Sequence, residues 1–162
     1  VATLLVVHHA PTAAVRSLAE AVVDGTRDDA IEEVDVVVRP ALEATAADVL
    51  GADGYLLGTP ANFGYMSGAL KHFFDTVFLE AGGALSDDGS AGGGPTAPRR
   101  PFGLWVHGRY DTTGAVRSVL AIAGALGWRQ AAEVLTVIGD VGPEQHEAAY
   151  GLGGTVAALL ST

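Results

Sequence analysis

The residues able to do chemistry in this sequence are few, and they gather just after short apolar runs. His8-His9 follow the first run, Thr59-Pro60 the third, and His107-Gly108-Arg109-Tyr110-Asp111 close the fourth. The two adjacent histidines have three readings: an ordinary strand end, contact with a ligand's phosphate or ring, or a metal pair without acidic partners near them in sequence. The chain has no Cys, which removes disulfides, thiol nucleophiles, CxxC haem attachment, Fe–S clusters and thiolate zinc sites together. Redox chemistry would therefore need a bound organic cofactor or a His and carboxylate metal site. Neither GxGxxG nor the phosphate-cradling GxxxxGK follows the first strand. The acidic pair and the Asp of a receiver domain are replaced by His8-His9 and Thr59-Pro60, and no GxSxG elbow is present. What remains is a helix N-terminus and two loops of Gly, Pro, aromatic and small polar residues.

The elements that must hold these groups follow from periodicity. Thr3 to Val7, Val34 to Val38, Gly54 to Gly58, Phe102 to His107 and Ala131 to Ile138 read as strands. Between them, Val15, Leu18, Ala19, Val22 and Val23 repeat at helical spacing with Arg16, Glu20 and Arg27 on the outer face. A short helical stretch lies near Ala46 to Leu50, and longer ones run from about Met66 to Glu80, Thr113 to Leu126 and Pro143 to Leu160. Strands alternating with helices predict one α/β domain over 1–162, a doubly wound, five-stranded parallel sheet of order 2-1-3-4-5. Its ligand crevice would lie beyond strands one, three and four, at His8 to Thr12, Thr59 to Tyr65 and Gly108 to Thr112. Residues 82–101, rich in Gly, Ser and Pro, read as a flexible surface insertion at the opposite end of the sheet, either a solvated loop or a lid over a neighbouring subunit's site. Trp105 reads as core, Trp128 as packing beneath a helix end, and His72 as a packing or interface residue.

Composition narrows the partners. Of 162 residues 49% are apolar and 17% charged, enough for a substantial core. The formal net charge is -10 with Lys71 the one lysine, a field that repels nucleic-acid backbones and anionic membranes. No apolar run reaches spanning length and no basic region opens a signal peptide, so a cytoplasmic protein is expected.

The run Gly58-Thr59-Pro60-Ala61-Asn62-Phe63-Gly64-Tyr65-Met66-Ser67-Gly68-Ala69-Leu70-Lys71 resembles the third-strand loop of flavodoxin-like FMN proteins and NAD(P)H-dependent FMN reductases. His107-Gly108-Arg109-Tyr110-Asp111-Thr112-Thr113-Gly114, with the later Leu126-Gly127-Trp128, is similar to the family's second flavin loop. The resemblance implies a flavodoxin-like three-layer sandwich. It also implies that Pro60, Ala61, Asn62, Phe63, Gly64 and Tyr65, with His107, Gly108, Arg109, Tyr110 and Asp111, face the flavin. Phe63, Tyr65 and Tyr110 offer flat walls there, although Phe63 and Tyr65 could instead cap the core. The phosphate would fall to His9, Ala10, Pro11, Thr12, Ala13 and Ala14, where a Pro-containing turn opens a helix and Thr12 adds a hydroxyl. Here the chain departs from the family's Ser-x-Thr-Gly-x-Thr pattern, since Ala10-Pro11-Thr12-Ala13-Ala14-Val15 lacks two hydroxyls and the Gly. Each lost bond is worth about 1.5–3 kcal/mol, and His9 is placed to compensate.

The resemblance implies three functions: an NAD(P)H-driven, two-electron FMN oxidoreductase acting on a quinone, a free flavin or another small acceptor; a flavodoxin-type electron carrier; or a weakly flavin-binding interaction module. No catalytic side chain is expected, because the flavin carries the chemistry. Arg109, if it lies by the pyrimidine side, would stabilise negative charge on a reduced ring; otherwise it points to solvent or pairs with Asp111. A homodimer is expected, because Leu70, Phe73, Phe74, Val77 and Phe78 exceed what one helix buries against a sheet, and the reductases resembled are commonly dimers.

Overall fold

Alternation of side chains across a strand decides how each apolar run is used. In β1 (Ala2–His8), Leu5 and Val7 enter one core while Leu4 and Val6 enter another. Both faces are covered, as continuous apolar strands of parallel sheets require. The computed structural model describes residues 1–83, 87–88 and 99–162; most of the expected insertion at 82–101 lies outside them.

β1 pairs in parallel with β2 (Val34–Pro40) and β3 (Gly54–Asn62), and β3 with β5 (Pro101–Gly108). Two short pieces, β6 (Arg129–Gln130) and β7 (Leu135–Ile138), both add in parallel to β5. Counted as one interrupted edge strand, they complete the expected order 2-1-3-4-5. The continuous strand expected over Ala131 to Ile138 is thus corrected. The Ala131 amide still donates to the Phe102 carbonyl, then the chain leaves the ladder while the Gln130 side chain donates to the Ala132 carbonyl.

α1 (Ala13–Thr26) and α5 (Pro143–Ala158) cover one face, packed on Leu4, Val6, Leu56 and Trp105. α2 (Ala46–Gly51), α3 (Gly68–Val77) and α4 (Thr113–Ala125) cover the other, over Leu5, Val7, Leu57 and Leu104. On that second face Trp128 stacks on Tyr55 with ring centroids 3.9 Å apart. α1 and α5 touch backbone to backbone: a Cβ on Gly25 would stand 2.0 Å from the Tyr150 carbonyl oxygen, and one on Gly153 1.9 Å from that of Val22. Gly58 is equally constrained, because the Trp105 indole lies where its Cβ would be.

α3 is shorter than the Met66 to Glu80 helix expected. Tyr65–Met66 instead form β4, antiparallel to the end of β3, and Ser67 caps the helix by accepting from the Leu70 amide at 3.1 Å. Of the expected stripe, Leu70, Phe73, Phe74 and Val77 are at most 1% exposed, and Phe78, just beyond the helix, is partly buried against the same core.

Candidate functional site

The crevice is assembled from three strand ends. After β1, Thr12 takes the N-cap of α1, and its Oγ1 accepts from the Val15 amide at 3.4 Å. The same hydroxyl keeps its hydrogen free to donate. The amides of Ala13 and Ala14, in the first helical turn, have no intrahelical acceptor, and no acidic residue stands in that turn. Free amides and the positive end of the helix make this turn suited to an anion.

After β3, the chain reverses through Phe63-Gly64 into β4, with φ of 51° and 81°. Both central residues are left-handed, as a tight two-residue hairpin of type I′ demands. Phe63 is wholly exposed at its tip. This hairpin touches the start of α4, where a Cβ on Gly114 would come 2.4 Å from the Gly64 carbonyl oxygen.

After β5, Asp111 anchors the turn into α4 by accepting from the Thr113 amide at 2.9 Å, which holds its carboxyl below the usual range. Tyr110 is exposed. Arg109 pairs with Asp140 at 2.9 Å rather than with Asp111, both ends in solvent, so the pair contributes only about 0–1 kcal/mol. His107 is buried, its Nε2 lying 2.7 Å from the Gly139 carbonyl oxygen.

These segments enclose a cleft of about 630 Å³, within the roughly 300–1,000 Å³ of small-molecule sites. Of the residues expected from sequence, Thr12, Ala14, Pro60, Ala61, Asn62, Phe63, Gly64, His107, Gly108, Arg109, Tyr110 and Asp111 line it, together with Val15. His9, Pro11, Ala13 and Tyr65 are not among its lining residues, while Ala10 borders a second groove of about 450 Å³ with His8, Arg16, Glu20, Asp24 and Arg27. His8 Nδ1 is buried without a partner, and burial, then the charge of His9, lowers its pKa. Sequence reasoning missed Gly139 and Asp140, which bond to cleft residues from a neighbouring loop. A Gly-Asp pair marks a turn in sequence, but which loop that turn braces is a tertiary fact.

Among the described residues no group of three or more His, Asp or Glu is placed to hold a metal, and no helix is long and apolar enough to cross a membrane.

Cleft, free helix N-terminus and aromatic rim lie together at the carboxyl ends of a doubly wound α/β sheet, where this architecture binds its ligands, and the match to a family model makes the class a flavin-binding oxidoreductase or electron carrier. The family model for NADPH-dependent FMN reductase matches residues 8–137, and the chain belongs to that family. A protein described as flavodoxin, from Aquifex aeolicus (strain VF5), is 36% identical over 99 residues, covering 56% of this chain; the match spans 52% of that protein's length. Among solved structures, oxidised flavodoxin 1 from Bacillus cereus superposes with TM-score 0.77 at 16% identity, covering 99% of this chain and 100% of the other. A flavodoxin, WrbA-like protein from Agrobacterium tumefaciens gives 0.70 at 18%, covering all of both chains. Those two likenesses show the fold.

The donor set fits FMN, the cofactor of this family. Free first-turn amides and the Thr12 hydroxyl suit a phosphate dianion, and the exposed Phe63 and Tyr110 suit a flat ring.

Proposed function

We propose that this protein is an FMN-dependent oxidoreductase that draws on NAD(P)H to reduce a quinone, a flavin or another small acceptor by two electrons. The observation that carries this reading is the convergence of all three strand-end segments on one cleft beside an unencumbered helix N-terminus. FMN, when bound, supplies the electron transfer. The chain's residues do the rest: the α1 turn binds the phosphate, Pro60 to Gly64 and His107 to Asp111 flank the ring, and Phe63 and Tyr110 exclude water from its faces. Ala13, off the cleft lining, contributes its free amide at the phosphate turn, whereas the His9 amide is taken by the Gly58 carbonyl and Pro11 has no N–H to donate.

The test begins with the visible spectrum of purified protein and anaerobic addition of NADPH or NADH. Bleaching of the flavin band at catalytic rates supports the reductase. FMN at a hundred times its Kd should stabilise the fold by about 2.7 kcal/mol; an unchanged melting temperature refutes FMN binding. Thr12→Ala should weaken FMN more than riboflavin, which lacks the phosphate, and equal losses would remove Thr12 from the phosphate site. A second reading, a one-electron carrier between proteins, is favoured by the flavodoxin relative. It predicts no reduction by either nicotinamide but rapid reduction by a flavoprotein donor.

A further inference from the structure

His107 borders the cleft yet is only 7% exposed, whereas Phe63, Arg109, Tyr110 and Asp111 stand out at the rim. It therefore belongs to the floor. A carbonyl oxygen only accepts, so the bond to Gly139 places the ring's hydrogen on Nε2. In the tautomer with its hydrogen on Nε2, Nδ1 is a bare acceptor. Among the described residues Nδ1 has no hydrogen-bond partner, and it is not among the sealed, unpartnered polar atoms, which include Nδ1 of His8.

The Gly139 peptide holds this arrangement from two directions. Its carbonyl takes the His107 hydrogen, and its amide donates to the Gly108 carbonyl at 2.8 Å. Gly139 has φ of 87°, left-handed backbone that favours glycine. The imidazole is thus fixed in place and in tautomer.

We propose that His107 is a specificity-determining residue whose Nδ1 accepts the ring imide N–H of the flavin, N3–H; the inference rests on the FMN reading above. Rigidity matches rigidity here. The ribityl hydroxyls rotate and can turn to water, but the imide hydrogen lies fixed in the ring plane and needs an acceptor already in position. Among the other lining groups, Pro60, Ala61 and Gly108 have no polar side chain and Arg109 only donates; the acceptor oxygens of Asn62, Tyr110 and Asp111 belong to exposed residues at the rim, whereas His107 belongs to the buried floor.

The test compares FMN with N3-methyl-FMN, which lacks that hydrogen, by titration against the wild-type protein and His107→Leu. His107→Phe replaces it if the first variant fails to fold, as judged by circular dichroism. Wild type should prefer FMN by roughly three- to ten-fold more than the variant does, the range of one neutral hydrogen bond. His107→Gln, which retains an acceptor, should recover part of the preference. Nitrogen-15 spectra of the ligand-free protein should show the Nε2–H tautomer, with Nδ1 shifting on FMN addition but not on addition of the methylated analogue. Equal discrimination by wild type and variant, or an Nδ1–H tautomer, overturns the role of His107 while leaving FMN binding intact. Failure of the wild-type protein to bind either flavin overturns the FMN reading itself.

Discussion

Phe63 occupies left-handed backbone without burying its ring, a combination that costs about 1–3 kcal/mol and brings no packing in return. Phe63→Asn should therefore raise stability by about 1 kcal/mol, because Asn tolerates this region and nothing is unpacked. The same change removes a wall of the cleft, so FMN affinity should fall by about tenfold. Parallel chemical denaturation and flavin titration check both halves; a loss of stability, or an unchanged affinity, contradicts the account. His8 makes an opposite use of conformation, burying a polar atom against α1. Burial and the neighbouring His9 lower its folded pKa below the usual 6.5, so the unfolded chain binds more protons as pH falls through that value. Stability should decline from pH 7.5 to 5.5, and His8→Asn should flatten the decline in urea melts. Arg16, Arg27, Glu20 and Asp24 share the groove with His8, so the comparison belongs at fixed ionic strength.

Within α5 two glycines of similar sequence context have opposite roles. Gly153 meets the Val22 carbonyl, while nothing lies within 4 Å of a Cβ at Gly151. Gly153→Ala should destabilise by about 1–3 kcal/mol or more, since backbone cannot yield as a side chain can. Gly151→Ala should stabilise by about 0.5–1 kcal/mol through helix propensity alone. Thermal melts of the two variants shifting in the same direction would dispute the α1–α5 contact. Such pairs also show where sequence reading ends. The first four strands, the covered faces of α1 and α3, and the sheet order were legible because apolar period and alternation are local signals. The β3–β4 hairpin was not, because Asn62-Phe63-Gly64-Tyr65 puts an aromatic where Asn or Gly marks a turn. The three loops of the cleft could be named from order alone, since topology brings strand ends together. The bracing of His107 and Arg109 by Gly139-Asp140 could not, because it joins residues about thirty positions apart through one carbonyl and one carboxylate.

For the whole molecule, the sheet divides the interior into two apolar compartments that share strands but not side chains. The negative net charge, spread over a chain with nine Lys and Arg against nineteen Asp and Glu, leaves the fold to be held by those compartments rather than by ion pairs. The described pairs are Arg39–Asp48, Lys71–Asp75 and Arg109–Asp140, all at least partly solvated, so raising salt should move the melting temperature little by way of them. One feature of the partition is that the chain's two tryptophans fall on opposite sides of it: Trp105 beneath α1 and α5, Trp128 against Tyr55 under α3 and α4. The protein thus carries a separate built-in fluorophore for each half of its interior. Trp105→Phe and Trp128→Phe leave one reporter apiece, and each emission trace followed through denaturant reads one compartment alone. If the shared strands make the molecule melt as a unit, the two midpoints agree once each is referenced to circular dichroism of its own variant; if α1 and α5 peel away first, the Trp105 signal departs ahead of the other.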